Sequence, residues 1–219
     1  MPRIIALEGN IGAGKSTLMA ALKARFSKDT RIAFADEPVN LWQSIRNEEG
    51  KSILECYYAD PRKYAFCFQM IACGTRLKAL RDASSPAFGS PPPDIVVTER
   101  CLDSDYKVFA KLLIADGLLS STEVATYGIW RDAVGDLFAP SAILYLRSTP
   151  SLARARIHER ARVGEVVDIE YLKRLHVAHE EWITSLAGCV TGGTVVLDAQ
   201  QGPGVIARDA IRHIERMLN

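Results

Sequence analysis

The sequence predicts an α/β fold, a five-stranded parallel sheet with helices on both faces. Three observations predict it. Short apolar runs alternate with longer stretches of helical period, the order that strand–helix units produce. A chain of 219 residues fits one such domain better than two. A glycine-rich loop also follows the first apolar run and opens the first helix, as phosphate-binding α/β domains require.

In chain order, Ile4 to Leu7 reads as the first strand, followed by a helix over about 15–27. Ile32 to Ala35 is the second strand, with helices over 41–58 and 61–83 behind it. Residues 84–93 hold four prolines, three serines and a glycine, so they predict a flexible loop without chemistry of its own. Ile95 to Thr98 is the third strand, and helices over 103–116 and 121–138 follow. Ala142 to Leu146 is the fourth. Thr149 then caps a helix over 150–162, with Pro150 in its first turn. A helix over 169–187, a fifth strand at Thr194 to Leu197 and a helix over 204–218 complete a single domain of residues 1–219. There are no internal repeats and no interdomain linker.

Composition narrows the function. Hydrophobic residues make up 48% and charged residues 24%, and 27 Lys plus Arg against 26 Asp plus Glu leave a net charge of +1. That near-neutrality argues against a nucleic-acid binder held by counterion release. No apolar run reaches the roughly 18 residues a membrane span needs. The first strand begins almost at Met1, which leaves no room for a leader peptide and predicts a cytoplasmic protein. The five cysteines, Cys56, Cys67, Cys73, Cys101 and Cys189, form no CxxC pair and are expected to be reduced. His176 and His179 precede Glu180 but lack zincin spacing, so they predict a partly exposed helix face.

Gly9-Asn10-Ile11-Gly12-Ala13-Gly14-Lys15-Ser16-Thr17 contains GxxxxGK[ST] between strand and helix. Glycines there let backbone N–H groups turn inward around phosphate oxygens, and the helix N-terminus adds its positive end. Lys15 then supplies a point charge for the terminal phosphates. The Ser16 hydroxyl is placed to ligate Mg²⁺. The acceptor of the phosphoryl group must be read elsewhere. Glu37-Pro38-Val39 stands just past the second strand, and Glu99-Arg100 ends the third. Glu37 alone reads as an exposed turn residue. Together they bring two carboxylates and a fixed cation to one sheet edge, beside the phosphates.

At these residues the sequence resembles the deoxyribonucleoside kinase family, of P-loop nucleoside/nucleotide kinase type with an Arg-rich lid. The resemblance runs over roughly residues 3–198. It rests on the P-loop, Glu37-Pro-Val with Trp42 close behind, Tyr58 before Asp60-Pro61, Phe68-Gln69, Glu99-Arg100, the arginines of 154–162, and Glu170-Tyr-Leu with His176 and His179-Glu-Glu-Trp182. It implies ATP as phosphate donor, Mg²⁺ held by Ser16 and Glu99, and a deoxynucleoside acceptor. Glu37 would take the proton of the 5′-OH, and Arg100 would orient that hydroxyl and the carboxylate. It also implies a homodimer. A departure is Cys101, where the family usually has Ser.

Gln69, Ala72, Cys73 and Arg76 fall at i, i+3, i+4 and i+7, so they share one helix face. The resemblance gives Gln69 the base edge, enclosed by Trp42, Phe68 and Phe109; plain core packing fits these three aromatics equally. Asp105 and Phe109 are one helical turn apart. Arg76 with Asp105 matches relatives that accept deoxycytidine and purine deoxynucleosides rather than thymidine, although an interhelix salt bridge would use the same pair. Asp103 and Tyr106 depart from the family here. Tyr58 and Glu165 would bind the sugar 3′-OH, with Glu159 and Asp168 as alternatives to Glu165. Arg156, Arg160 and Arg162 belong to a lid over about 154–167 that would embrace the transferring phosphoryl group; a solvated basic face is the other reading. The segment from Asp198 to Gly204 would lie along the adenine. Two rivals share the P-loop. A thymidylate-type monophosphate kinase would carry Gly-Gly-Thr where Val39-Asn40-Leu41 stands, and a silent nucleotide-binding protein would lack Lys15, Glu37 or Arg100.

Overall fold

The computed structural model describes residues 1–86, 89–162 and 164–219. Its five strands are β1 (Arg3–Gly9), β2 (Ile32–Ala35), β3 (Ile95–Glu99), β4 (Ala142–Arg147) and β5 (Thr194–Asp198). They match the five predicted runs and form one parallel sheet in the order β2-β3-β1-β4-β5. β3 lies on one side of β1 and β4 on the other, so the chain switches sides at the carboxyl end of β1. Ligand crevices of such sheets open at that point.

The helices are α1 (Lys15–Arg25), α2 (Val39–Ser44), α3 (Ile53–Ala59), α4 (Pro61–Ser84), α5 (Leu102–Ser104), α6 (Lys111–Ala115), α7 (Ser121–Val134), α8 (Pro150–Arg160), α9 (Ile169–Ser185) and α10 (Pro203–Leu218). Both faces of the sheet are covered. Ile5 and Leu7 of β1 pack with Leu22 of α1 and Ile214 of α10 on one face. Ala6 packs with Tyr145, Leu175 and Trp182 on the other. Side chains alternate along a strand, so Glu8 follows the parity of Ala6. It therefore enters the second layer.

Several predicted helices change form. The helix expected over 41–58 is two helices, because Asn47 Oδ1 accepts the amides of Glu49 (3.1 Å) and Lys51 (2.9 Å) while Gly50 turns at φ +77°. Ser52 restarts the helix through a capping box with Glu55, a start signal present in the sequence as Ser-x-x-Glu. The helix expected over 103–116 is α5 and α6 joined by a π-helical segment, Asp105–Ala110. The helix expected to reach 138 stops at Val134, where Gly135 takes φ +55°. The one expected to reach 162 stops at Arg160, because Ala161 is left-handed.

α4 runs to Ser84, and within the loop predicted over 84–93, Ala87 and Phe88 lie outside the described residues, as does Val163 of the predicted lid. No described helix is long and apolar enough to cross a membrane. All five cysteines are free thiols. His179, expected on a partly exposed face, is fully buried. It belongs to the apolar stripe of α9 with Leu172, Leu175 and Trp182, and its Nδ1 lies 2.7 Å from the Leu175 carbonyl.

Candidate active site

β1 leads directly into a loop that turns at Gly12 (φ +77°) before Lys15 starts α1. A Cβ on Gly9 would sit 2.5 Å from the Leu146 carbonyl oxygen, and one on Gly12 would sit 2.3 Å from that of Ala153. Both sites therefore exclude every larger residue. Asn10 ties the loop to α9, its Nδ2 donating to the Leu172 carbonyl (2.8 Å) and its Oδ1 accepting from Ile11 N–H (2.9 Å). Lys15 Nζ donates to the carbonyls of Gly9 (3.2 Å) and Asn10 (3.0 Å). Burial, then Arg100, lower its pKa to about 8, against Glu99, Glu37 and Glu8.

Ile11 through Thr17 form one wall of a cavity of ≈ 810 Å³. Gly9 and Asn10 lie behind that wall. At its inner end Ser16 Oγ donates to Glu99 Oε1 (3.1 Å). A hydroxyl and a carboxylate oxygen side by side are the hard donors Mg²⁺ takes, the rest of its shell coming from water and phosphate. Burial, then Glu37, raise the Glu99 pKa; Lys15, Arg100 and the Ser16 hydrogen bond oppose them. Among the described residues no three His, Cys, Asp or Glu cluster into a self-contained metal site.

Across the cavity, Arg100 Nε donates to Glu37 Oε1 (3.2 Å) and Nη1 to the Gly9 carbonyl (3.0 Å). Its guanidinium carbon also stands 4.6 Å over the Phe109 ring. Burial pushes Glu37 up, but Arg100, Arg76, Lys15 and Arg162 outweigh it and hold the carboxyl at about 2. A carboxylate ionised at neutral pH and a fixed guanidinium thus meet at the cavity floor.

α4 and the π-helical segment build the opposite wall. Arg76 grips Asp105 with two bonds, Nε to Oδ2 (2.8 Å) and Nη2 to Oδ1 (3.2 Å), and donates through Nη1 to the Glu99 carbonyl (2.7 Å). Gln69 Nε2 donates to the Asp105 carbonyl (3.0 Å). Gln69, Ala72 and Arg76 line the cavity, as predicted for one face, but Cys73 turns away to the Tyr127 hydroxyl (3.2 Å). Trp42 and Phe68 meet edge to face at 5.4 Å, and both line the cavity with Phe109. For these three, packing and cavity lining are one role. The π-helical turn brings Asp105 and Phe109 to the same cavity. Tyr106 is instead turned to Tyr127 and Arg131.

Tyr58 and Glu165 face the same space, and burial, then Glu165, push the Tyr58 hydroxyl up. Of the alternatives to Glu165, Glu159 lines the cavity and Asp168 does not. Arg156 donates to the carbonyls of Ala13 (2.8 Å) and Ala199 (2.9 Å), bracing the P-loop against the end of β5. Arg160 makes a two-pronged contact with Glu165 (2.9 and 2.5 Å), and Arg162 lies 3.7 Å from the same carboxylate. These three arginines line the cavity, whereas Arg154 points to solvent. Gln201, Pro203 and Gly204 also line it, within the segment expected beside an adenine. Ile206 and Ala207 extend that wall.

The sequence reading missed apolar residues of the cavity wall, Leu54 among them, and it missed Glu8, which lies buried behind the cavity. Leu54 carries no distinguishing signal. Glu8 does, because a carboxylate inside an apolar strand must be satisfied by something. The assembled cavity has a glycine-rich-loop end, a polar floor where Glu37 and Arg100 meet, and an end lined by Trp42, Phe68 and Phe109.

A family model described as deoxynucleoside kinase matches residues 5–212. The chain is 32% identical over 204 residues to deoxycytidine kinase of Mus musculus, covering 82% of this chain and 74% of that one. It is 30% identical over 195 residues to the mitochondrial deoxyguanosine kinase of Xenopus laevis, covering 82% and 72%. A probable deoxycytidine kinase of fowlpox virus is 34% identical over 184 residues, covering 82% and 71%.

Proposed function

The chain belongs to the deoxynucleoside kinase family, and from that premise we propose that it transfers the terminal phosphoryl group of ATP to the 5′-OH of deoxycytidine and purine deoxynucleosides in preference to thymidine. Phosphorylation of a deoxynucleoside is the reaction of the family. The finer reading rests on one observation, the buried Arg76–Asp105 pair in the cavity wall. An ionised Asp only accepts hydrogen bonds. Each Asp105 oxygen spends one lone pair on Arg76 and keeps another for an exocyclic amino group. Thymine would instead bring a carbonyl to that point, acceptor against acceptor. Gln69 would bond the remaining base edge, and Tyr58 with Glu165 the 3′-OH.

In this reading Glu37 accepts the 5′-OH proton while Arg100 fixes both groups. With its carboxyl held at about 2, Glu37 is a weak base. That suffices in a loose transition state, where the attacking oxygen has formed little bond and needs a placed acceptor rather than a strong one. Lys15 and the P-loop amides hold the transferring phosphates. Arg156, Arg160 and Arg162 gather around the charge that develops on them. Ser16 and Glu99 would hold Mg²⁺, which supplies charge neutralisation on the phosphate oxygens when bound. The protein would work as a homodimer in the cytoplasm; exposed Ile129 and Leu137, on and after α7, are apolar surface that a second copy can cover.

The test is a panel of the four deoxynucleosides with labelled ATP and Mg²⁺, beside sedimentation of the free protein. Monophosphate formed from deoxycytidine, deoxyadenosine or deoxyguanosine at higher kcat/KM than from thymidine is expected. Preference for thymidine would overturn the specificity. Diphosphate made only from monophosphates would overturn the acceptor.

A further inference from the structure

Glu8 has no part in the mechanism above, yet it is a fully buried carboxylate one residue before the P-loop glycine. Its surroundings explain its presence. Oε1 accepts the backbone N–H of Cys101 (2.9 Å). Oε2 is buried without a hydrogen bond and lies 4.0 Å from Arg100 Nη1. Arg100, between these two contacts, has φ +66°, the left-handed region that a side chain other than glycine avoids. Its neighbours hold the turn as well: Arg100 N–H donates to the Leu7 carbonyl (3.0 Å), and Thr98 Oγ1 to the Arg100 carbonyl (2.9 Å). The strained turn aims the guanidinium at Glu37 and over Phe109. Without it, an extended Arg100 would carry its side chain to the other side of the sheet edge.

We propose that Glu8 is a positioning residue for phosphoryl transfer, clamping the amide after Arg100 from behind so that the left-handed turn holds the guanidinium against Glu37. The apolar strand gives it this reach. β1 is the strand between β3 and β4, and Glu8 sits at its carboxyl end, next to where β3 ends at Glu99 and Arg100 follows. Ser104 Oγ gives the Cys101 amide only a longer second contact (3.3 Å). The inference rests on the phosphorylation of a deoxynucleoside but not on which base is preferred.

The experiment compares Glu8→Gln, Glu8→Asp and Glu8→Ala, using whichever of the four deoxynucleosides the wild-type protein phosphorylates fastest. No turnover of any deoxynucleoside by wild type would defeat the functional reading before Glu8 is tested. Gln keeps an oxygen for the Cys101 amide, so its kcat is expected within about 3-fold of wild type. Asp is one methylene short and Ala has no oxygen. Both are expected to lose about 10- to 100-fold in kcat, the scale of misplacing a reacting group by about 1 Å. KM for either substrate should move less than about 3-fold. In an Arg100→Ala background, Glu8→Asp should change kcat by less than about 2-fold, since the turn no longer has a guanidinium to aim. If Ala fails to fold, Asp decides; if neither folds, Glu8 is structural and the proposal is overturned. It is also overturned by near-normal kcat in Asp, by a Gln variant as impaired as Asp, by a loss confined to KM, or by the same loss in the Arg100→Ala background.

Discussion

Asp105→Ala would leave the Arg76 guanidinium, only 3% exposed, without its hydrogen-bonded carboxylate, with Glu37 3.7 Å away as its remaining anion. Removing one partner of a buried ion pair costs about 3–5 kcal/mol. Each kcal/mol lowers the midpoint of a domain this size by about 2–4 °C, so Tm should fall by roughly 6–20 °C. Arg76→Met strands Asp105 and also the Glu99 carbonyl, so its loss should be at least as large. The double variant removes both charges of the pair, leaving the Glu99 carbonyl unpaired at a cost of about 1–3 kcal/mol and Glu37 with Arg100 as its nearest cation. It should therefore melt above either single variant. Specificity should move with it. A wall without Asp105 no longer rewards an amino group or opposes a carbonyl, and one such buried polar contact is worth about 1–3 kcal/mol. The kcat/KM ratio of thymidine to deoxycytidine should then rise by roughly 5- to 150-fold. Differential scanning calorimetry gives the first result, and competition of mixed deoxynucleosides for labelled ATP gives the second. A double variant that melts no higher than the singles would refute the desolvation argument. Unchanged substrate ratios would reduce the pair to an interhelix salt bridge and leave base reading to Gln69 and the aromatic residues.

Glu37→Gln keeps the side chain's size but removes its charge, so kcat should fall by about 10² or more while nucleoside binding changes little; turnover close to wild type would mean that another group takes the proton. Because Glu37 is held at about 2, below its ordinary 4.5, its stabilising contribution is complete above pH 4.5 and lost as pH falls through about 2, which acid unfolding of wild type and the Gln variant compares. Lys15 is held at about 8, below 10.5, so kcat/KM for ATP should fall as pH rises through about 8; the unfolded chain binds the extra proton between those values, so this group adds stability from pH 8 to 10.5. A flat kcat/KM between pH 7 and 9 would contradict the Lys15 assignment. Gly12→Ala meets both a left-handed φ, unfavourable by about 1–2 kcal/mol, and the Ala153 carbonyl, so ATP affinity measured by titration calorimetry should drop at least about 10-fold.

All five strands, and the glycine-rich loop between β1 and α1, were determined by the sequence alone, because burial on both faces and a glycine-punctuated turn leave signatures in neighbouring residues. So were the two charged residues at the cavity floor, since a strand's carboxyl end places its last side chains at the sheet edge wherever the strand lies. The break at Asn47-Glu-Glu-Gly and the capping box at Ser52 were also written locally, in turn chemistry that apolar periodicity hides. Other features needed the tertiary structure. Nothing within α4 says that Cys73 turns toward Tyr127 while Gln69 and Arg76 face the cavity; the partner arrives from α7, more than fifty positions away. The π-helical turn that brings Asp105 and Phe109 to one wall is likewise no property of Asp-Tyr-Lys-Val-Phe-Ala as a local sequence. Glu8 is the sharpest case. The sequence marks it as a carboxylate in an apolar strand, but its partner is the amide of Cys101, just past the end of β3, a strand brought beside β1 by sheet pairing. Periodicity reports which way a side chain points. What it meets there is decided by strand order, and only the folded sheet contains that information.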